Sequence, residues 1–397
     1  MAEKPAILGG ERIFKNEVQI VNPSFRDVCD PKLMGNIERI LKSNIVTRGP
    51  FQAALEKDIA EYLGVKHVVA MCNCTLSLTL AIQAAGLQGK EIAVPSFTIS
   101  ATVNAAYWNN CKINFIDIDP ETYNMSLEDL EKKISKKTAA IMPVHVFGNP
   151  NSIKELQKIA DGNGSMLVFD AAQAFGSVYN GKKIGGFGKW ESLSGSPTKH
   201  FSTAEGGFVA TNDDKIAGTV RLTRNYGVEP NYNTLVVGLC ARMPEVNAAI
   251  GEAMLPLADS FIKNRNSYAE KFRKRLGRLP GLRFQRITKG CLSSYNYFGM
   301  VVDQKQFGLT NRQLEKALLA EGIHTKIYYH PPVHKHTAYK QFNRLKLPET
   351  ESVSENIICL PFYNNMGDEL IDGICLAIEM AHENAPEIKK ELGHAGR

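Results

Sequence analysis

From about residue 65 to residue 215, short apolar runs alternate with helical patterns, and few folds accept that arrangement. His67–Met71 (HVVAM) reads as a strand and 75–85 as a helix. Glu91–Pro95 is a strand again, followed by helix Ser100–Trp108 and a strand over 113–118. A helix over 126–134, a strand over 139–146, a helix over 152–160 and a strand over 165–169 complete the series. Continuous β-rich runs between helices are what a parallel sheet covered on both faces requires. The alternation therefore predicts one large α/β domain.

The pattern changes further on. A polar loop over 228–233 leads to a long helical stretch, 245–276, which the reading takes as a bridge between domains. Beyond it lie a strand-like run over 295–302, a helix over 311–321, a loop rich in Tyr, His and Pro over 328–339, and a last helix from about Asp368. That is a smaller α+β domain. The 397 residues suit two or three domains, and 44% hydrophobic with 22% charged content excludes a disordered or fibrous chain. A net charge of +6 with no concentrated basic run argues against a nucleic-acid partner. No apolar run approaches the roughly 20 residues that span a bilayer. The opening Met-Ala-Glu-Lys-Pro lacks a secretory layout, so a cytoplasmic protein is expected. Eight cysteines, among them a Cys72-x-Cys74 with no second Cys/His pair at zinc spacing, predict neither metal nor disulfide framework.

Ligands of open α/β sheets bind at the carboxyl ends of the strands. The first strand runs through Asn73-Cys74-Thr75 into a helix, whose unpaired N–H groups and positive dipole end suit a phosphate; Thr75 as a plain N-cap is the simpler reading. The strand ending at Phe169 delivers Asp170, then Ala171-Ala172-Gln173. A carboxylate there needs a cationic partner, which a protonated pyridine, an arginine or a helix N-terminus could supply. Twenty-nine residues on stands Ser194-Gly195-Ser196-Pro197-Thr198-Lys199, between two β-like segments and close to Glu205-Gly206-Gly207. The glycine pair suits close backbone approach to a ligand. A partly desolvated lysine can attack a carbonyl carbon. Amine, carboxylate and anion site together match the needs of pyridoxal 5′-phosphate. Gly185-Gly186-Phe187-Gly188 is too short and wrongly placed for a dinucleotide fingerprint and reads as a turn; no P-loop occurs.

At this point the sequence resembles the DegT/DnrJ/StrS family of pyridoxal-phosphate-dependent sugar aminotransferases. The ordered matches run from Thr47-Arg48-Gly49-Pro50 and Glu61-Tyr62-Leu63-Gly64 through Val94-Pro95-Ser96-Phe97-Thr98 and the DIDPETY segment at 117–123. They continue with Pro143-Val144-His145, Asp170 to Gln173, Pro197-Thr198-Lys199, Arg224-Asn225-Tyr226-Gly227, Arg242-Met243-Pro244-Glu245 and Leu360-Pro361. The resemblance implies the fold type I of these aminotransferases: an arm over 1–30, a large cofactor-binding α/β domain over 31–255 with a mostly parallel seven-stranded sheet, and a small α+β domain over 256–397.

The resemblance also implies roles. Lys199 would carry the internal aldimine and shuttle the proton as base and acid; Asp170 would keep the pyridine nitrogen protonated; Gln173 would bond the ring's phenolic oxygen. Ser194 and the amides at Cys74 and Thr75 would hold the phosphate. Members that remove a hydroxyl have His where Lys199 stands, so lysine favours transamination. Four positions depart from the family. Cys74 replaces Gly or Ala, and Ile99 an aromatic stacked on the ring. Gly195 replaces Phe. Cys240 stands where a neighbouring subunit supplies Asn to the phosphate, a loss of about 1.5–3 kcal/mol. A homodimer with shared active sites is expected. Thr47 to Pro50 with Tyr328, Tyr329, His330 and His334 would line the acceptor pocket, and Arg224, Arg242 and Lys326 would meet a nucleotide diphosphate. The predicted reaction takes nitrogen from glutamate or glutamine, through pyridoxamine phosphate, to a keto sugar, foremost a nucleotide-linked 4-keto-6-deoxyhexose. Alternatives are aminocyclitol amination, a pyridoxal-phosphate dehydratase or elimination enzyme, and a regulatory cofactor-binding homologue without turnover.

Overall fold

Alternate residues of each central strand go to different cores. Val68 and Ala70 join one apolar cluster while Val69 and Met71 join another, and the same division separates Ala93 from Ile92 and Val94. A strand buried on both faces is a strand in the middle layer of three. The computed structural model describes residues 4–394, so residues 1–3 of the arm and 395–397 of the small domain lie outside the described residues.

The strands of that layer are β1 (His67–Met71), β2 (Glu91–Pro95), β3 (Lys112–Ile116), β4 (Thr138–Ile141), β5, β6 (Glu191–Ser194) and β7 (Gly207–Thr211). β5 consists of Met166–Leu167 and Phe169–Asp170, joined through Val168, whose N–H donates to Ile141 O at 3.0 Å. The order across the sheet is β3-β2-β4-β5-β6-β7-β1. β7 is antiparallel to both its neighbours and the other pairings are parallel. Ser192 sits beside Asp170 in the β5–β6 register, and Ser194 opposite Gly207 in β6–β7. Because β6 returns directly to an antiparallel strand, it needs no crossover helix, and a loop over 195–206 stands at the carboxyl edge instead. That loop is closed on itself: Gly195 N donates to Gly206 O at 2.9 Å and Thr203 N to Gly195 O at 2.8 Å.

Two further helices precede the sheet. Pro31–Ser43 starts on Asp30, whose carboxylate caps Leu33 N at 2.8 Å, and Pro50–Leu63 ends on Gly64 in the left-handed region. Proline at the first helical position and glycine just past the end are the expected punctuation. The carboxylate of Glu245, fully buried, caps the second helix by accepting from Gly49, Phe51 and Gln52 N–H at 3.0, 2.8 and 3.0 Å. A Cβ at Gly49 would lie 2.6 Å from that carboxylate.

The expected single helix over 245–276 is two, Glu245–Met254 and Ala258–Leu276, parted by the turn Leu255–Leu257. Pro256 lacks the N–H that a continuous helix would need there. Ala258 and Phe261 pack with the large core, whereas Ala269, Phe272 and Leu276 pack with a second one around Phe298, Phe307 and Phe362. That second core lies against an antiparallel sheet of β8 (Leu282–Phe284), β9 (Phe298–Val302) and β10 (Ile357–Leu360), in that order. Residues of the arm lie along this unit: Phe14 N donates to Glu321 O and Val18 N to Gly322 O. Among the described residues no helix is long and apolar enough to cross a membrane.

Candidate active site

Lys199, Asp170, Gln173, Ser194, Cys74, Thr75 and Ile99 all line one cavity of about 270 Å³ at the carboxyl edge of the sheet, with Tyr297, Tyr328 and Tyr329 across from them. Strand ends and the loops after them deliver the first six: β5 ends at Asp170 shortly before Gln173, β6 ends at Ser194 and leads into the loop that bears Lys199, and β1 runs through Asn73 into helix Cys74–Ala84.

Asp170 is 1% exposed, and each carboxylate oxygen has one internal donor. Thr102 Oγ1 donates to Oδ2 at 2.6 Å and Ala172 N to Oδ1 at 3.0 Å. Thr102 in turn meets the hydroxyl of Thr98 at 2.8 Å, so the two threonines one helical turn apart form a relay into the carboxylate. Burial pushes the Asp170 pKa up, against the pull of those two donors and of Lys199. Among the described residues no cationic side chain forms an ion pair with it. A buried carboxylate that faces a cavity without a counter-cation fits a protonated ring nitrogen.

Gln173 is oriented by its partners. Phe147 N must donate, so it faces Oε1 at 2.8 Å, and Nε2 donates to Tyr329 Oη at 2.7 Å. The second Nε2 hydrogen remains for a ligand. Lys199 is half-buried, with Nζ 5.6 Å from the centroid of the Tyr297 ring. Its backbone N–H donates to Ser196 O at 3.0 Å.

At the other end of the cavity Asn73 Oδ1 caps Leu76 N at 2.9 Å, so Asn73 is the N-cap. Thr75 is thereby released from the capping role. The first-turn amides of Cys74 and Thr75 have no partner among the described residues, which is the donor arrangement a phosphate requires. Gly207 serves this turn and not a ligand directly, while Gly206 faces Thr203 and Met243. A Cβ on Gly207 would lie 2.3 Å from Asn73 C and 2.4 Å from Cys74 N, so only glycine lets β7 reach the helix start. Burial pushes the Cys74 thiol well up, leaving it a neutral packing group. Gly195 faces Thr203 and Phe208, which fill the space a larger side chain would take. Ile99 is 50% exposed at the mouth.

Other expected contacts fall elsewhere. His334 is buried: Ser96 Oγ meets Nδ1 at 2.7 Å and Glu351 lies 3.2 Å from Nε2, so both ring nitrogens are occupied inside the fold. It does not line the cavity. Arg224 is committed to Glu56 and to Ala70 O, a buried brace and not an anion contact. Thr47 pairs in a bridge with Pro244, and Arg242 donates to Asn225 Oδ1 at 2.7 Å and rests on the Tyr226 ring. Cys240 is exposed, 3.3 Å from Arg242 Nη2. Within one chain none of Thr47, Arg242 and Cys240 lines the Lys199 cavity. Sequence reasoning missed Thr102 and Tyr297. The Thr98-x-x-x-Thr102 spacing at a helix start was a usable signal for the first; nothing local marks the second. Gly185 to Gly188 does form a turn, bound through Gly185 N and Phe187 N to the buried Glu191 carboxylate.

Amine, buried carboxylate, amide donor and open helix start on a three-layer α/β frame define a pyridoxal-phosphate-dependent aminotransferase. The DegT/DnrJ/EryC1/StrS aminotransferase family matches residues 29–379, and the chain belongs to that family. It is 29% identical over 359 residues to dTDP-4-amino-4,6-dideoxy-D-glucose transaminase of Escherichia coli, covering 89% of this chain and 96% of that one. It is 33% identical over 364 residues to GDP-perosamine synthase of Vibrio cholerae, covering 89% and 98%. Among solved structures, DesI in the presence of its TDP-sugar product superposes over 100% of both chains with a TM-score of 0.89 at 28% identity.

Proposed function

We propose that this aminotransferase moves an amino group from glutamate or glutamine to a nucleotide-linked 4-keto-6-deoxyhexose. The observation that carries the reading is the convergence of Lys199, Asp170, Gln173 and the Cys74–Thr75 amides on one cavity. Pyridoxal phosphate, when bound, supplies an aldehyde for amine exchange and a ring that withdraws electrons from the carbon losing its proton. The residues around it do the rest. Asp170, oriented by Thr102 and Ala172, holds a proton at the ring-nitrogen position. Gln173 Nε2 donates to the phenolic-oxygen position. Ser194 and the two free amides receive the phosphate. Lys199 Nζ takes the proton from the donor carbon and returns it on the acceptor side, as base and then acid. The Tyr297, Tyr328 and Tyr329 rings exclude water from that exchange; burial also pushes the Tyr328 and Tyr329 hydroxyls up, so both stay protonated.

The acceptor class is supported by the two relatives, one named as a transaminase for dTDP-4-amino-4,6-dideoxy-D-glucose and the other as a synthase of GDP-perosamine. A homodimer is part of the reading. The 226–239 segment exposes Tyr226, Tyr232, Leu235, Val237 and Leu239, with Tyr232 at 91% and Val237 at 78%, and Cys240 follows directly. A second copy seated there would cover these side chains and bring Cys240, Arg242 and Thr47 to the partner's cavity.

The test is spectroscopic. Protein purified with pyridoxal phosphate should show a visible band that bleaches with glutamate or glutamine and returns with dTDP- or GDP-4-keto-6-deoxyhexose. A band unmoved by both donors would sink the proposed donor. No band at all would sink the cofactor site.

A further inference from the structure

Among the described residues one arginine is buried without a carboxylate partner. Arg265, on helix Ala258–Leu276, is 3% exposed and packs over the Phe362 ring at 5.4 Å. Its contacts are neutral: Nε donates to Asn364 Oδ1 at 2.6 Å, and Nη1 to Tyr295 O at 2.7 Å and Asn296 O at 3.4 Å. A buried guanidinium held only by neutral acceptors is costly, and a fold retains one where its fork of donors fixes several backbones at once.

Those acceptors lead to the active site by two routes. Asn364 Nδ2 donates to His200 O at 2.9 Å, so the carbonyl next to Lys199 is held by a side chain that Arg265 itself orients. The same Nδ2 donates to Ser24 Oγ at 3.0 Å, which ties in the arm. On its other side His200 donates from Nε2 to Phe175 O at 2.8 Å, leaving the residue after the lysine fastened at both ring and carbonyl. The second route runs through Tyr295 and Asn296. Ser294 Oγ donates to Gln173 O at 2.8 Å and Asn296 N to Phe147 O at 2.8 Å, so this strand entry backs the Gln173 turn and delivers Tyr297 opposite Lys199. Burial, aided by the Arg265 charge, pushes the His200 pKa down to about 3, which keeps that imidazole neutral beside the lysine.

We propose that Arg265, acting through Asn364 and through Tyr295 O, is a positioning residue that sets Lys199 and Tyr297 against each other. It makes the placement of the small unit part of the lysine's own geometry. The inference rests on the cofactor reading above, and its test separates the two.

Full-length wild type, Asn364→Ala, Arg265→Lys and Arg275→Ala are compared. Arg275 lies on the same helix but bonds outward to Glu379 and Asp372, so it reports general damage to the helix. Apo-protein is mixed with pyridoxal phosphate, and the growth of the visible band, the cofactor mass fixed on Lys199 by borohydride and the pH midpoint of the band are measured. Asn364→Ala should capture cofactor at least about tenfold more slowly with a displaced pH midpoint, Arg265→Lys should fall between, and Arg275→Ala should match wild type. Since Asn364→Ala removes one neutral side chain, it remains measurable if the arginine variant does not fold. Asn364→Ala with the wild-type rate and midpoint overturns the inference, as does Arg275→Ala slowing capture equally. Wild type that captures no cofactor sinks the cofactor reading and the inference with it.

Discussion

The two ends of the cofactor cavity are finished to different degrees. At the ring end the contacts that orient the side chains lie inside the chain: Asp170 on Thr102 and Ala172, Gln173 on Phe147 and Tyr329, the lysine loop closed through Gly195 and Gly206. At the phosphate end the Cys74 and Thr75 amides stand open, and the segment proposed above to complete a partner's site exposes Tyr226, Tyr232, Leu235, Val237 and Leu239. Chemistry is preorganised by one chain, whereas grip is left to be completed. Preorganised donors aimed at developing charge supply the larger share of a rate. Affinity can be shared across subunits at less cost.

Breaking the ring end should therefore have the largest effects. Lys199→Ala should abolish product formation in a turnover assay while circular dichroism and elution volume stay as in wild type; undiminished turnover would remove the mechanism. Asp170→Asn loses the charge and, with a single acceptor oxygen, one of the two internal donor contacts, and kcat should fall by at least about 100-fold, roughly 2.7 kcal/mol. Outside the cavity, Glu245→Ala leaves the Gly49, Phe51 and Gln52 amides without their acceptor and should cost about 2–4 kcal/mol in denaturant unfolding. The smallest effect sharpens the contrast: Cys240→Asn should tighten pyridoxal-phosphate binding about tenfold in the assembled protein, by supplying a donor the thiol lacks. An unchanged dissociation constant would mean that Cys240 does not reach the phosphate.

A pH effect belongs to neither end. Burial and the neighbouring Asp58 push Glu252 up to about 7, against an ordinary value of 4.5, and one of its oxygens is buried without a partner. A carboxyl with a raised folded pKa favours the fold below 4.5 and loses that contribution as pH rises through 7. Glu252→Gln should therefore raise the melting temperature at pH 8 and leave it unchanged at pH 4.5. Because Glu252 is only half-buried, the gain should be about 1 kcal/mol. A gain equal at both pH values would assign the effect to packing.

The sheet was legible because strands buried on both faces leave uninterrupted apolar runs, and the lysine, carboxylate and helix start fall at the ends of those runs. Of the helices before residue 65, Pro31–Ser43 was legible, since Leu33, Ile37 and Ile40 recur at helical spacing and face the core, whereas Pro50–Leu63 is announced mainly by its punctuation, Gly49-Pro50 and Gly64. Pro256 was the overlooked signal for the break between the two helices of the bridge. His334 shows the limit at the acceptor side. A loop dense in Tyr, His and Pro turns some side chains to the cavity and others to the core, and no local period says which. The Arg265 contacts span up to 99 residues, a range at which sequence pattern is silent.

The loop that bears Lys199 is a closed ring of backbone, anchored at Gly195 and Gly206 on two paired strands. Its lysine can travel only by rotating its own methylene chain. Proton movement in a filled site should therefore ignore solvent viscosity, and added glycerol should slow only the entry and departure of sugar nucleotides.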